Sequence, residues 1–374
     1  KWKKKTILVC VGGYYPEIHG GGKQQQLIIK NLSYKYNFRV ISFSTKLNSP
    51  FSLSLKKIFR IKVKRNNFFN ILSLFKLIIY FISNHREIDL VHMRGNSKKN
   101  IVLILLAKFF RKKIIYTPTR YLEDDIYTIK KKNKLSYFLF KNIKLIHCIS
   151  PVFFSGKNKI VKQKFKYSYI PNIVDTNLFN FKKRKKNNNL ITLCVGFFSK
   201  IKNQKILYKS WKRISKKINC KLHFVGMKNL DYYLANNDEF NYILNDAKKS
   251  NLLHNIIFSE DIKNMADVYK SADIFVLPSL TEGMPNSVLE AMSTGLPSIT
   301  SNLKFITTPL IKHGVNGFLF NAKNSYQLEK YLLMLLSSKK LRDKISANAR
   351  HYILQNHSHK FFLQHKLMYE KLLS

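Results

Sequence analysis

The stretch ADIFVLPSLTEGMPNSVLEAMSTGLPSITS, residues 272–301, decides the fold. Its first part, DIFVLP, is a short continuous apolar run closed by a proline, as expected of a strand buried on both faces. Gly283 and Pro285 then mark a turn. Val288, Leu289, Ala291 and Met292 follow at helical spacing and form one apolar face, with Glu290 near Asn286 on the opposite, polar face. LPSIT reads as the next strand. A helix that opens directly after a glycine-containing turn presents N–H groups that bind anions and phosphates. Glu282 and Glu290 stand eight positions apart, one in the turn and one in the helix.

The rest of the chain repeats this alternation. Before residue 150, TILVC, RVISF, DLVHM, KIIYT and KLIHCIS read as strands, and QQQLIIKNLSYKY, FFNILSLFKLIIYFISN and KKNIVLILLAKFFRK as helices. From residue 190, LITLCVG, KLHFVG, NIIF, DIFVLP, LPSIT and GFLF read as strands, and QKILYKSWKRISKK, ADVYKSA, PNSVLEAMSTG and SYQLEKYLLMLLSS as helices. Strands that alternate with helices make parallel sheets covered on both faces. Between the halves lies YIPNIVDTNLFNFKKRKKNNN, a proline turn followed by a basic, polar run, which reads as a linker. The expected domains are 1–172, a linker at 173–189, a second α/β domain at 190–350, and a C-terminal helix at 351–374 that packs back on the first domain. A chain of 374 residues is long enough for two such cores.

Two glycine loops follow strands. VGGYYPEIHGGGKQQQ lacks the G-x-G-x-x-G spacing of a dinucleotide fingerprint, which argues against a Rossmann oxidoreductase. Its Gly20–Gly22 run before a helix start suits a phosphate or a flexible loop equally. In open α/β sheets ligands bind at the carboxyl ends of strands, so this loop and the one at Gly283 are expected to face a common cleft.

Lysine and arginine number 67 against 20 aspartates and glutamates, a formal net charge of +47. Nucleic-acid binding, attraction to an anionic membrane and the compositional bias of an AT-rich genome all produce such a balance. The basic residues are spread along the chain and form no recognisable nucleic-acid module, so no nucleic-acid partner is expected. Cys10, Cys148, Cys194 and Cys220 have no metal-ligand spacing and read as buried free thiols of a reducing compartment. KWKKKTILVCVGG reads as a first core strand, not a signal peptide. ILSLFKLIIYFI, residues 71–82, is too short to span a bilayer and contains Lys76. Residues 52–81 and 127–144 mix Phe, Leu and Ile with Lys and Arg, which suits a core helix with a basic face or a segment lying on an anionic membrane.

Residues 272–301, with Glu282 and Glu290, resemble the signature of the family 4 retaining glycosyltransferases (glycosyl transferases group 1). HGVNGFLF is similar to the segment that follows it in that family, and VGFFSKIKNQ to the start of its second domain. IPNIVDTNLF resembles its inter-domain segment, with Ile173 where glycine is usual, and YYPEIHGGG its N-terminal glycine loop. The resemblance implies a GT-B fold: α/β, with two doubly wound Rossmann-like domains facing a central cleft. It implies transfer of a sugar, a hexose by expectation, from a nucleotide sugar to a glycan or lipid-linked acceptor.

The residues support that chemistry. A diphosphate leaving group gains negative charge in the transition state and needs fixed donors. The helix opening at Asn286, Ser287 and Val288 supplies N–H groups and part of a positive charge. By the resemblance, Lys202 contacts the diphosphate, Glu282 the transferred sugar together with the backbone of Gly283 and Met284, and Glu290 the ribose. Gly21 and Gly22 reach the donor from the first glycine loop, and Ile262, in IIFSEDIKNM, lies near the base. Where the family usually has arginine this chain has Phe197, and Lys200 is the nearest substitute. Many members carry a histidine where this chain reads YTPTRYLEDD, and Arg120 is the expected acceptor-side catalytic residue, with His92 and His19 as further candidates. The leaving phosphate oxygen takes the acceptor's proton, so neither a protein base, a cofactor nor a metal is expected.

The reading is a retaining glycosyltransferase of bacterial surface polysaccharide assembly, cytoplasmic and peripheral on the inner face of the membrane. A GT-B nucleotide-sugar epimerase, a basic nucleic-acid binder and a homologue that binds without turnover are the rivals.

Overall fold

The computed structural model describes residues 4–12, 14, 20–44, 58–62, 67–95, 98–162, 164–182, 189–226 and 237–374. The chain divides into two compact units, one of residues 1–173 with 360–374, the other of residues 174–359.

The first unit holds β1 (Thr6–Val11), α1 (Gly20–Leu32), β2 (Asn37–Ser44), β3 (Ile58–Lys62), α2 (Asn67–Asn84), β4 (Leu90–Arg94) and α3 (Lys98–Phe109). It continues with β5 (Lys113–Thr117), α4 (Ile126–Lys132), α5 (Lys134–Phe140), β6 (Leu145–Cys148), α6 (Lys159–Lys162) and β7 (Tyr167–Tyr169). Its strands form one parallel sheet in the order β3-β2-β1-β4-β5-β6-β7. All six residues of β1 are buried, as a central strand covered on both faces requires. Sequence reading passed over β3 and β7, which are short edge strands, and took α4 and α5 as one undivided segment, residues 127–144. The two helices are started by side-chain caps: Asp125 accepts from Thr128 N and Asn133 from Ser136 N. Helix α2 buries Leu77 and Phe81 but leaves Ile71, Phe75, Ile79 and Ile82 exposed.

The second unit holds β8 (Leu190–Val195), α7 (Gln204–Ile214), β9 (Cys220–Val225), α8 (Asn237–Lys249), β10 (Ile256–Ser259), α9 (Met265–Ser271) and β11 (Ile274–Leu277). After these come α10 (Asn286–Ser293), β12 (Ser298–Ser301), β13 (Phe318–Phe320), α11 (Ser325–Ser337) and α12 (Lys339–Asn356). Its parallel sheet runs β10-β9-β8-β11-β12-β13 around a core that includes Trp211, Phe224, Ile274 and Leu332. Both sheets are thus doubly wound. The last helix, α13 (Phe362–Leu373), packs Met368 and Tyr369 onto α1 and β1 in the first unit.

Two expected boundaries move. Helix α12 continues to Asn356, so a break at 350 falls inside a helix. Residues 174–179 do not stand clear as a linker: Val174 N donates to His357 O, and Arg350 Nη1 donates to Phe179 O, which ties the segment into the second unit. The KKRKK run, from residue 183 onward, lies outside the described residues.

Candidate functional site

In the second sheet β8 and β11 are neighbours, yet the chain leaves β8 toward β9 on one side and β11 toward β12 on the other. That reversal is the switch point at which open α/β sheets bind ligands. The loops after both strands meet there. Leu280 N donates to Ile201 O at 2.7 Å, and Asn203 Nδ2 donates to Pro278 O at 3.2 Å and to Ala322 O at 3.0 Å. Asn203 has a left-handed backbone, φ 55°, which a short polar side chain tolerates. Gln204 Nε2 donates to Phe197 O at 2.8 Å, so the first loop is held at both ends. A Cβ on Gly226 would stand 2.1 Å from Gly196 O; only glycine lets the ends of β8 and β9 approach so closely.

This scaffold brings Lys202 and Glu282 together. Lys202 Nζ lies 2.5 Å from Glu282 Oε1, with the side chains 18% and 13% exposed. The ammonium also lies 5.7 Å from the centre of the Phe197 ring, a distance at which an aromatic face attracts a cation. The two residues were expected to hold different parts of a ligand; in the free protein they hold each other. Lys200 is exposed.

Helix α10 opens beside this pair. Pro285 gives it no side-chain cap and its first turn holds no acidic residue, so an anion there meets uncompensated dipole charge. Gly283 and Met284 are buried, and Asn286 and Ser287 partly so. Val288 has no exposed side-chain surface, so only its backbone can meet a ligand. The hydroxyl Oγ of Ser279 and Oγ1 of Thr281 are buried and make no hydrogen bond to any described group, an unspent polar capacity beside Glu282. Sequence reading missed these two; their signal was the hydroxyl residues between an apolar strand and the glutamate.

Glu290 corrects one expectation. It is only 8% exposed, because Val288 to Ser293 are all buried and α10 has no solvent face there. The side of the helix read as polar faces α9, where Tyr269 Oη donates to Glu290 Oε2 at 2.9 Å. Burial, reinforced by the Glu290 charge, pushes the Tyr269 hydroxyl well above its usual range, so it remains a donor.

The other expected residues sit on other elements. Ile262 follows β10, the edge strand two places from β8, and is half-buried. Gly21 and Gly22 belong to the first unit and lie inside the first turn of α1, not in the loop before it. Arg120, in the first unit, has its Nη1 2.6 Å from Glu123 Oε2, an ion pair in the loop between β5 and α4. His92 is wholly buried, with Nδ1 2.9 Å from Tyr369 Oη and Nε2 2.8 Å from Thr117 Oγ1, so it braces α13 against the sheet and lines no cleft. His19 lies outside the described residues.

Residues 175–352, nearly all of the second unit, match the family model described as glycosyl transferases group 1. The second unit belongs to that family. An uncharacterized glycosyltransferase of Haemophilus influenzae is 29% identical over 221 residues, 58% of this chain and 60% of its own length. The UDP-Gal:alpha-D-GlcNAc-diphosphoundecaprenol alpha-1,3-galactosyltransferase of Escherichia coli is 36% identical over 126 residues, 33% of this chain and 30% of its own. The matched part therefore spans less than two thirds of either relative. The whole chain superposes on the whole of a glycosyltransferase from Rickettsia africae with a TM-score of 0.77 at 20% identity. That likeness is one of fold, and the fold is GT-B. The family match thus falls on the unit that carries Lys202, Glu282 and α10.

Proposed function

We propose that this group 1 glycosyltransferase moves a sugar, with retention of anomeric configuration, from a nucleotide sugar to a lipid-linked glycan during assembly of a bacterial surface polysaccharide. The single observation that carries the reading is the meeting of Lys202, Glu282 and the α10 N-terminus at the switch point of the second sheet. A nucleotide sugar has a part for each: diphosphate for Lys202 and the α10 amides, sugar hydroxyls for Glu282 and the Gly283 and Met284 backbone. Glu290 lies toward the ribose, and the loop around Ile262 meets the base. As the glycosidic bond to the diphosphate breaks, charge grows on the leaving oxygen, where fixed donors act more strongly than water does. That oxygen takes the acceptor's proton as the new bond forms on the same face. Lys202 and the helix supply the positive charge, so the proposal calls for no resident metal.

The lipid-linked acceptor rests on the Escherichia coli relative, which is named for transfer to alpha-D-GlcNAc-diphosphoundecaprenol. The membrane surface rests on charge and exposure. Among the described residues no helix is long and apolar enough to cross a bilayer. Helix α2 nonetheless turns Ile71, Phe75, Ile79 and Ile82 outward in a chain of net charge +47, which suits peripheral docking on the anionic inner face of the cytoplasmic membrane.

A thermal-shift panel of nucleoside diphosphates and nucleotide sugars tests the donor, since a ligand that binds only the folded state raises its melting temperature. No shift with any of them sinks the enzyme reading. Proton NMR of the product's anomeric signal tests retention, and co-sedimentation with anionic vesicles at low salt tests docking.

A further inference from the structure

The first unit carries a second cationic feature that the donor chemistry leaves unused. Arg94 ends β4 and is 6% exposed, yet its Nε and Nη2 are buried without a hydrogen-bond partner, and among the described residues no acidic group pairs with it. The nearby carboxylate is already taken: Asp124 accepts from Thr119 N, Thr119 Oγ1 and Arg120 N at 2.8–3.0 Å. Burial pulls the Arg94 guanidinium down to about 10, which still leaves it charged at neutral pH. Asp124 and Tyr369 lend Arg94 opposing charge, but its two buried N–H groups without an acceptor are unfavourable, and an acceptor from outside the protein relieves that cost.

The surroundings say what that partner is. In the first sheet β1 lies between β2 and β4, and the chain leaves β1 toward β2 but β4 toward β5, so Arg94 stands at the carboxyl edge of a second switch point. Arg94 pairs with Thr117, whose hydroxyl bonds His92 and His147, so Arg94 shares the sheet face that α13 and α1 cover. On that face Ser42, paired with Val11 on β1, has a fully buried hydroxyl without a partner. Gln25 of α1 is wholly buried; its amide leans on the Tyr369 hydroxyl without reaching hydrogen-bond geometry. Helix α1 begins with Gly20, Gly21 and Gly22 and holds no acidic residue in its first turn. A Cβ on Gly21 or Gly12 would meet nothing within 4 Å. A guanidinium fork, a hydroxyl, an amide and a helix N-terminus are the donor set of a phosphate site.

We propose that Arg94, with Ser42 and Gln25, forms an anion site in the first unit that takes a phosphate group, and that this phosphate belongs to the acceptor. The second clause rests on the glycosyltransferase reading; the first does not. The acceptor class is then a sugar linked through phosphate or diphosphate, and the two units each hold a phosphate of a different substrate.

Pyrophosphate is the binding probe, added to the full chain already saturated with the nucleoside diphosphate that binds it best. Isothermal titration should show one further equivalent bound. Arg94→Gln should weaken it roughly ten- to a hundredfold, the loss expected when one charged hydrogen-bond partner is removed. Nucleoside diphosphate binding should stay unchanged in that variant. Arg94→Lys should fall between the two, which separates lost charge from lost folding. Pyrophosphate should also raise the melting temperature of the wild type and leave that of Arg94→Gln in place. Unaltered pyrophosphate binding in Arg94→Gln, or an equal loss of nucleotide, overturns the site. If no nucleotide binds at all, the donor reading fails, and an Arg94-dependent pyrophosphate equivalent still stands by itself. Transfer assays separate the phosphate's source. Arg94→Gln should slow transfer to a diphosphate-linked acceptor and spare transfer to the same sugar without phosphate; equal slowing of both refutes the acceptor assignment.

Discussion

Replacing Glu282 with glutamine should tighten the binding of nucleoside diphosphates while transfer falls. In the free protein Lys202 Nζ and Glu282 Oε1 lie 2.5 Å apart in a pocket that leaves the side chains 18% and 13% exposed. At that separation the gross attraction is about 6–7 kcal/mol for an effective dielectric near 20, and desolvation of both groups cancels most of it. A hydrogen bond between charged groups nets about 1.5–3 kcal/mol. With a neutral amide as partner roughly half of that remains. A diphosphate that claims Lys202 must first break this pair, so Glu282→Gln removes about 0.75–1.5 kcal/mol of competition. The dissociation constant should then fall about three- to twelvefold. Removing a carboxylate beside the phosphates acts in the same direction. Isothermal titration with nucleoside diphosphates lacking a sugar isolates the effect, because Glu282 then has no sugar hydroxyl to lose. Lys202→Met should lose affinity in the same titration. Unchanged or weaker binding in Glu282→Gln, alongside a loss in Lys202→Met, refutes the idea that the carboxylate and the diphosphate compete for one ammonium.

Tyr269→Phe strips the buried Glu290 carboxylate of a donor and should destabilise the second unit by about 1–3 kcal/mol. Urea unfolding reads this, and a change below about 0.3 kcal/mol counts against the bond. Gly226→Ala forces a methyl group against Gly196 O and should cost about 1–3 kcal/mol in the same measurement and disturb the loop that carries Lys202. Acid should weaken the first unit. Burial holds His92 and His147 well below the usual 6.5 and His365 at about 4. The unfolded chain therefore binds more protons as pH falls from 6.5 toward 4, and stability that is complete above 6.5 is lost across that window. Asp124, raised by burial to about 6, takes its proton first in the folded state, so between pH 6 and 3.8 it offsets part of the loss. The urea midpoint of the first unit should drop between pH 7 and pH 5, and less so in His365→Gln; a midpoint that does not move contradicts the buried, neutral histidines.

Much of the fold was legible because fully buried parallel strands leave continuous apolar runs. DIFVLP and TILVC became β11 and β1 without ambiguity. What escaped was short, polar or capped. β7 has three residues, and α8, NDEFNYILNDAKK, buries only Ile243 and Ala247, too few for a visible periodicity. Lys202 and Glu282 were both legible as candidates, but not as partners, since a contact 80 residues apart in sequence has no local signal. Glu290 was misread because a helical wheel shows which residues share a face but not what that face meets; here it meets Tyr269. Arg94 was invisible for a different reason. One buried arginine among 67 basic residues looks like all the others until burial and missing partners single it out.

The phenylalanine at 197, where relatives usually carry arginine, follows from the same charge balance. Between β8 and β11 the half-buried ammonium of Lys202 is matched, among the described residues, by the carboxylate of Glu282. An arginine at 197 would add a second charge to a partly buried site where, among the described residues, only Glu282 pairs with Lys202, an unfavourable state unless an anion binds. Phe197 avoids that. Its ring faces the ammonium at 5.7 Å and supports it without adding charge, whichever anion Lys202 holds. Under the proposed function less positive charge then awaits the leaving diphosphate, and the α10 N-terminus, uncapped and without an acidic residue in its first turn, would carry a larger share of it. The departure from the family pattern is thus compatible with turnover. It shifts part of the stabilisation of the leaving group from a side chain to the backbone.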